Sequence, residues 1–256
     1  MNTETLQKLD AQVQTWLKEA AAQTKSHMDH LNVATKSNPR DLVTNVDKAN
    51  EELLAGKIRA AFSNDKIVSE EGFGDTVTSM AGAVWFIDPI DGTMNFVKEH
   101  ENFAIMLGLY IDGQPVLGWI YDVMRDLLYH GGPALGVFEN ERLLPPVPND
   151  GLGEGLFLVS SARMMDGDYH YEQFAKHALG LRILGVSAQS FVRMIKGQAA
   201  TYASLQNPWD FAAGVVLATG MKLSVSQIDG QPLDMLKSNI VLVATPRAQA
   251  DMLALQ

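Results

Sequence analysis

The sequence predicts a mixed α/β fold, and three features predict it. Helical apolar spacing opens the chain, a block of apolar strands surrounds Asp112-Gly113, and strand-like and helix-like segments alternate from Gly155 onward. Residues 3–30 carry Leu6, Val13, Leu17, Ala20 and Ala21 on the apolar face of an amphipathic helix. "KSNPRDLVTNVD" (36–47) reads as loop with short extended structure, and "DKANEELLAGKIRAAF" as a second helix with Asp47 as its cap. "KIVSEEGFG" is a strand running into a turn, and "AVWFI" is another strand. "FAIMLGLYIDGQPVLGWIYD" then gives two strands about the Asp112-Gly113 turn, with "DLLYH" as a third.

The Pro- and Gly-rich run "LLPPVPNDGLGEG" (143–155) holds no predicted helix and divides residues 1–145 from 146–256, two lobes of one catalytic unit. Beyond it come a strand, "GLFLVS", and two helices, "DYHYEQFAKHAL" and "VSAQSFVRMIKG". "AATYAS" is a short strand, and "WDFAAGVVLATG" is a helix ended by Gly220. "MKLSVSQ" and "SNIVLVAT" are strands, and Pro246 opens the last helix.

Composition narrows the chemistry. At 256 residues, 46% hydrophobic and 20% charged, the chain has the make-up of a soluble globular protein. It has no cysteine, so thiolate chemistry and disulfides are excluded and oxygen ligands must dominate any metal site. No apolar run approaches the roughly 20 residues that span a bilayer. "MNTETLQKLD" lacks the basic and apolar stretches of an export signal, so a cytoplasmic location and no membrane partner are expected. A net charge of −10 without a long basic run argues against nucleic acid as a partner. It leaves an anionic small substrate open, because divalent cations reverse the local sign of a carboxylate-lined site.

The run "WFIDPIDGTMNF" (85–96) ends a strand with Asp88 and Asp91. Pro89 fixes the backbone between them and Gly92 relieves crowding at the turn. Two carboxylates in one cleft need a counter-charge, and magnesium suits hard oxygen donors, the Ile90 carbonyl among them. The same residues also fit a plain Asp-Gly turn, with Asp88 capping local N–H groups. "SEEG" adds Glu70 and Glu71, of which Glu71 alone reads as solvated surface. "PWDFAAG" adds Asp210, which alone reads as a helix cap. Together these oxygens suffice for two or more metals and for phosphoryl transfer to water. Thr93 begins a helix whose first N–H groups can hold phosphate oxygens, and its hydroxyl can orient a water or simply cap the helix.

Taken together, "KSNPRDLVTNVD", "SEEG", "WFIDPIDGTMNF" and "WDFAAG" make the chain resemble the inositol monophosphatase family of magnesium-dependent, lithium-sensitive phosphatases. The resemblance covers nearly the whole chain and implies alternating layers of helices and sheets. It implies that Glu70, Asp88 and the Ile90 carbonyl hold one Mg2+ and that Asp88, Asp91 and Asp210 hold a second, with a third, weaker ion near Glu70. It also implies that Glu70 and Thr93 orient the attacking water and that Asp47 supports Thr93. The Gly92 and Thr93 N–H groups would contact phosphate, on the substrate side of Asp91. Lys36 would add positive charge near the cleft, or be a mobile surface lysine. Glu71 would lie behind the ligands. Many members are homodimers.

The alcohol side departs from the family pattern. A glutamate seven residues before the "WD" aspartate commonly contacts the inositol ring, and that position here is Ala203; residues 198–207 contain no acid at all. "LGVSAQS" stands where the family has a Gly-Ser/Thr-Ala loop, so Gly185, Ser187 and Ala188 would border the sugar, with Ser187 equally suited to cap the next helix. Arg182 reads as a phosphate contact or a surface charge, and His170 and His177 as surface residues. The leading expectation is a phosphatase for inositol monophosphate or a related sugar phosphate. Fructose 1,6-bisphosphate, the 2′-phosphate of NADP and 3′-phosphoadenosine 5′-phosphate are alternatives, as is a non-catalytic phosphate-ester-binding regulator.

Overall fold

The computed structural model describes residues 1–36, 42–160 and 168–255. The Asn2 side chain accepts the Thr5 N–H at 2.9 Å and starts α1 (Thr3–His27), whose Leu6, Val13, Leu17 and Ala20 form the buried face that their spacing predicts. A two-stranded pair, β1 (Val33–Thr35) and β2 (Leu42–Thr44), follows, and residues 37–41 of the predicted loop lie outside the described residues. Helix α2 (Asn45–Ala61) begins two residues before Asp47. Thr44 is its N-cap: the Thr44 hydroxyl accepts the Val46 N–H, and the Thr44 N–H donates to Asp47 at 3.0 Å. Asp47 is therefore the acidic member of a reciprocal cap and not the cap itself.

The predicted strand block is part of a seven-stranded sheet of β3 (Lys66–Ser69), β4 (Ala83–Asp91), β5 (Ala104–Ile111), β6 (Gln114–Asp122), β7 (Leu127–Gly132), β8 (Gly136–Glu139) and β9 (Arg142–Leu143), in that order. The last two strands were not predicted, and they pair as a hairpin on the β7 edge. A short helix of about two turns, α3 (Thr93–Glu99), leads from β4 towards β5. In the run 143–155 a 3-10 turn at Leu152–Glu154 corrects the expectation of no helix; the Gly151 N–H bonds the Glu154 carboxylate across it.

The second sheet has the order β11 (Gly180–Arg182), β10 (Leu156–Val159), β12 (Thr201–Gln206), β14 (Asn239–Ala244), β13 (Ser224–Gln227). The helices of this half are α4 (Tyr171–His177), α5 (Ser187–Ile195), α6 (Pro208–Gly220) and α7 (Pro246–Ala254). Helix α4 is shorter than predicted because Tyr169 and His170 take left-handed backbone angles just before it.

The layers alternate. Side chains of α1 and α2 pack on one face of the large sheet around Trp85, Ile87, Leu107 and Trp119. Phe86 and Tyr110, on its other face, meet Ala212 and Val216 of α6. Gly108 and Gly118 let α6 approach this closely, since a Cβ there would lie 3.0 Å from the Ala213 nitrogen and 2.6 Å from its oxygen. Beyond α5 and α6 comes the five-stranded sheet, covered on its far face by Tyr171 and Phe174 of α4 and by Ala248 and Met252 of α7. Mixed α/β architecture with alternating layers is what the sequence and the resemblance predict.

Candidate active site

Strand periodicity alone would send Asp88 and Asp91, three apart, to opposite faces of β4. The pairing register with β5 slips between them, Asp88 standing opposite Met106 and Asp91 opposite Ala104, so the bulge at Pro89-Ile90 turns both carboxylates into one buried neighbourhood. Gly92 closes the turn at φ +88°, and a Cβ on it would meet the Val186 side chain at 2.8 Å. Backbone angle and space both demand glycine here.

One face of α2 holds this turn and its neighbours. Asp47, fully buried, accepts from the Thr93 hydroxyl at 3.0 Å, and that hydroxyl also lies 3.1 Å from the Ile90 carbonyl. Asn50 donates to the Pro89 carbonyl at 3.3 Å. Glu51, also fully buried, accepts from the Ser69 hydroxyl (2.6 Å) and from the Glu71 (2.6 Å) and Phe73 (2.8 Å) N–H groups, which shapes the loop carrying Glu70. Positions 47, 50 and 51 share a helix face, so one stripe positions three pieces of the site. Sequence reading missed Asn50 and Glu51; the signal was a polar pair in register with Asp47 on a helix that otherwise buries its face.

The carboxylates stand close enough to disturb one another. Burial raises Asp88 well above the usual carboxylate range, and the charges of Glu70, Asp91, Asp210 and Asp47 raise it further. Burial pushes Asp91 up to about 7 against the N–H groups of Ala188 and Ser187, which it accepts at the start of α5. Burial likewise pushes Asp210 to about 7, against the Asn207 N–H that it accepts at 2.8 Å in its own capping box. Glu70 also stands at about 7, raised by burial and opposed by Lys36. Lys36 is an exposed residue whose ammonium reaches into this group and donates to Glu70 at 2.8 Å and to Glu71. Burial pulls the Lys36 pKa down, but the two carboxylates more than offset this and raise it. Glu71, raised by burial, meets Lys36 rather than the aspartates.

Among the described residues no three acidic or histidine side chains are already gathered as a metal cage. Each carboxylate is drawn to its own donor: Glu70 to Lys36, Asp88 to the Ile90 N–H, Asp91 to α5 and Asp210 to Asn207. The donor set nonetheless fits a hard divalent cation. It is all oxygen, buried at Asp88 and Asp91 and partly exposed at Glu70 and Asp210, and mutually repelling, with Lys36 as the one cation bonded to it among the described residues.

Beside Asp91 and Asp210 opens a cavity of about 330 Å³, lined by Val159, Ser160, Gly185, Val186, Ser187, Ser190, Tyr202 and Ser204. Gly185 and Ser187 border it as expected. Ala188 does not: it is fully buried, and its N–H holds Asp91. Nor is Ser187 a cap, since Val186 is the N-cap residue; the Ser187 hydroxyl accepts from the Gln206 amide at 2.6 Å. Alternation along β12 turns Ala203, the position of the expected acid, into the far core while Tyr202 and Ser204 face the cavity. Arg182 is exposed and bonds a neighbouring carbonyl, and His170 and His177 are exposed on α4 and its approach.

Known proteins resemble this chain over nearly its whole length. The inositol monophosphatase family matches residues 2–256. The inositol-1-monophosphatase of Bacillus subtilis (strain 168) is 36% identical over 245 residues, covering 93% of this chain and 92% of that one. The crystal structure of an IMPase/NADP phosphatase complexed with Mg2+ and phosphate superposes with a TM-score of 0.90 at 25% identity, over 98% and 95% of the two chains. Inositol monophosphatase II from Staphylococcus aureus MSSA476 superposes with a TM-score of 0.87 at 32% identity, over 96% and 92%.

Proposed function

The chain belongs to the inositol monophosphatase family, and from that premise we propose that it is a magnesium-dependent phosphomonoesterase for inositol monophosphate or a related sugar phosphate. The observation that carries the reading is the group of Glu70, Asp88, Asp91 and Asp210, whose pKa values are raised by burial and further by one another's charge, beside a hydroxyl-lined cavity. Glu70, Asp88 and the Ile90 carbonyl would hold one ion, Asp88, Asp91 and Asp210 a second, and a third would lie near Glu70. Bound Mg2+ supplies the positive charge that draws a phosphate into an acidic cleft and lowers the pKa of a water there.

The chain's own groups account for the rest. The single Thr93 proton, given to Asp47, leaves the hydroxyl oxygen free to accept from an attacking water. Glu70, one of the groups proposed to hold the first ion, would orient the same water together with Thr93. The N–H groups of Gly92 and Thr93 would bind the phosphate oxygens. Gly185 and Ser187 would border the alcohol. We extend the proposal to a lithium-sensitive homodimer, as the family resemblance implies, and to a cytoplasmic location.

One observation favours a wider substrate range. Tyr202 and Ser204 give the cavity neutral hydroxyls where a polyol-binding acid is expected, and neutral groups do not repel a second phosphate. The test is phosphate release from inositol 1-phosphate, fructose 1,6-bisphosphate, NADP and 3′-phosphoadenosine 5′-phosphate, each with Mg2+ and with chelator. Release that requires Mg2+ is expected, and the preferred ester names the alcohol. Tight ester binding with no release from any of them would favour the regulator instead.

A further inference from the structure

Residues of α5 line two cavities, and Val186, just before the helix, borders both. Ser187 and Ser190 line the cavity beside Asp91, whereas Gln189 and Arg193 line another of about 460 Å³. Lys196, just past the helix, and Arg125, from the β6–β7 turn, complete its polar wall, while Leu184 and Val192 supply apolar surface. Two of the three cations are fixed in place. Arg125 donates to Asp122 at 2.8 Å and to the Asn102 side chain at 2.9 Å. Lys196 pairs with Glu139 at 2.8 Å and lies 5.5 Å from the centre of the Tyr129 ring.

Arg193 differs. It is half-buried, and among the described residues no side chain or carbonyl bonds its guanidinium. Three cations thus line one cavity; Asp122 and Glu139 pair with two of them, and Arg193 is left to face the cavity with its charge unpaired among the described residues, in a chain whose net charge is −10. A half-buried guanidinium keeps five donors and no acceptor, and a phosphate oxygen pair satisfies that fork better than any neutral ligand. The cavity has the size of a small-molecule site.

We propose that this cavity is a second anion site, separate from the carboxylate cleft, that takes a phosphate group with Arg193 as its main contact. The phosphate is either free orthophosphate or the phosphate of an organic ester whose carbon part rests on Leu184 and Val192.

The test is calorimetric titration of the full chain with orthophosphate and, separately, with glycerol phosphate, in the presence of chelator. Without divalent cations the carboxylate cleft repels phosphate, so binding reports the basic cavity. Binding to the wild type is expected, weakened about tenfold in Arg193→Ala and less in Arg193→Lys. Arg247→Ala, which removes an exposed arginine paired with Glu154, should leave it unchanged. Equal affinity for the two ligands identifies free phosphate, and tighter binding of the ester identifies an organic phosphate. No binding under chelator, or equal binding by wild type and Arg193→Ala, overturns the proposal. Either failure leaves the phosphomonoesterase reading standing, because that reading is tested by turnover with Mg2+.

Discussion

Asp91 accepts two N–H groups from the first turn of α5 while its charge is opposed by Glu70. Asp91→Asn keeps one acceptor oxygen for that turn, where the carboxylate offers one to each N–H, and removes the charge proposed to bind a cation. Turnover should fall at least ~100-fold while the chain still melts cooperatively, its stability lowered by no more than about 1–3 kcal/mol, measured by phosphate release and calorimetry. Near-wild-type turnover would sink the assignment of Asp91 as a ligand. Gly92 is limited by its backbone, at φ +88°, and by the Val186 side chain. Gly92→Ala should cost about 1–3 kcal/mol of stability, read from denaturant unfolding, because alanine must hold a left-handed angle and displace a packed valine.

At the scale of elements, α2 is a bracket for the site. Its residues Asp47, Asn50 and Glu51 reach the Thr93 hydroxyl, the Pro89 carbonyl and the loop at 69–73. Glu51→Gln replaces a carboxylate that accepts three donors by an amide with one acceptor oxygen. The loop carrying Glu70 should loosen. Stability is expected to drop by about 1–3 kcal/mol and Mg2+ affinity about tenfold, in melts and in Mg2+ titration of activity. Unaltered Mg2+ affinity would show that Glu51 serves the fold alone. The β4 bulge is the matching device on the sheet side, since it brings Asp88 and Asp91 to one cleft.

Across the whole molecule, charge and packing make separate demands. Glu70, Asp91 and Asp210 are raised to about 7, above the unfolded values of roughly 4. Their contribution to the metal-free fold is therefore fully present below about pH 4 and is lost as pH rises through about 7. His130 acts in the same direction: burial lowers its pKa, but its bonds to Asp10 and to the Asn140 carbonyl raise it overall. Mg2+ should raise the melting temperature much more at pH 8 than at pH 5, and taking the difference with and without Mg2+ cancels the His130 contribution. An equal effect at both pH values would refute cation binding by these carboxylates. As for the proposed lobes, α6 lies directly on Gly108 and Gly118 of the large sheet. We expect residues 1–145 expressed alone to lack a cooperative melt, with Phe86, Met106 and Ile120 left uncovered.

The sequence by itself determined most of the fold class and the identity of the candidate ligands. Apolar periodicity is local, and "WFIDPIDGTMNF", "SEEG" and "WDFAAG" announce oxygen-rich turns wherever they lie. Short strands such as β8 and β11 carried too few alternating residues to be read, and the Thr44 cap was masked by an acid three residues later. Tertiary structure alone decided which groups meet. Asp47 and Thr93 are 46 positions apart, and Asp91 and the α5 N–H groups nearly a hundred. Such meetings depend on how layers pack and on a one-residue register slip, neither of which leaves a local trace. The same reason explains Ala203: the sequence located an absent acid, but only the pleat of β12 showed that Tyr202 and Ser204 face the cavity.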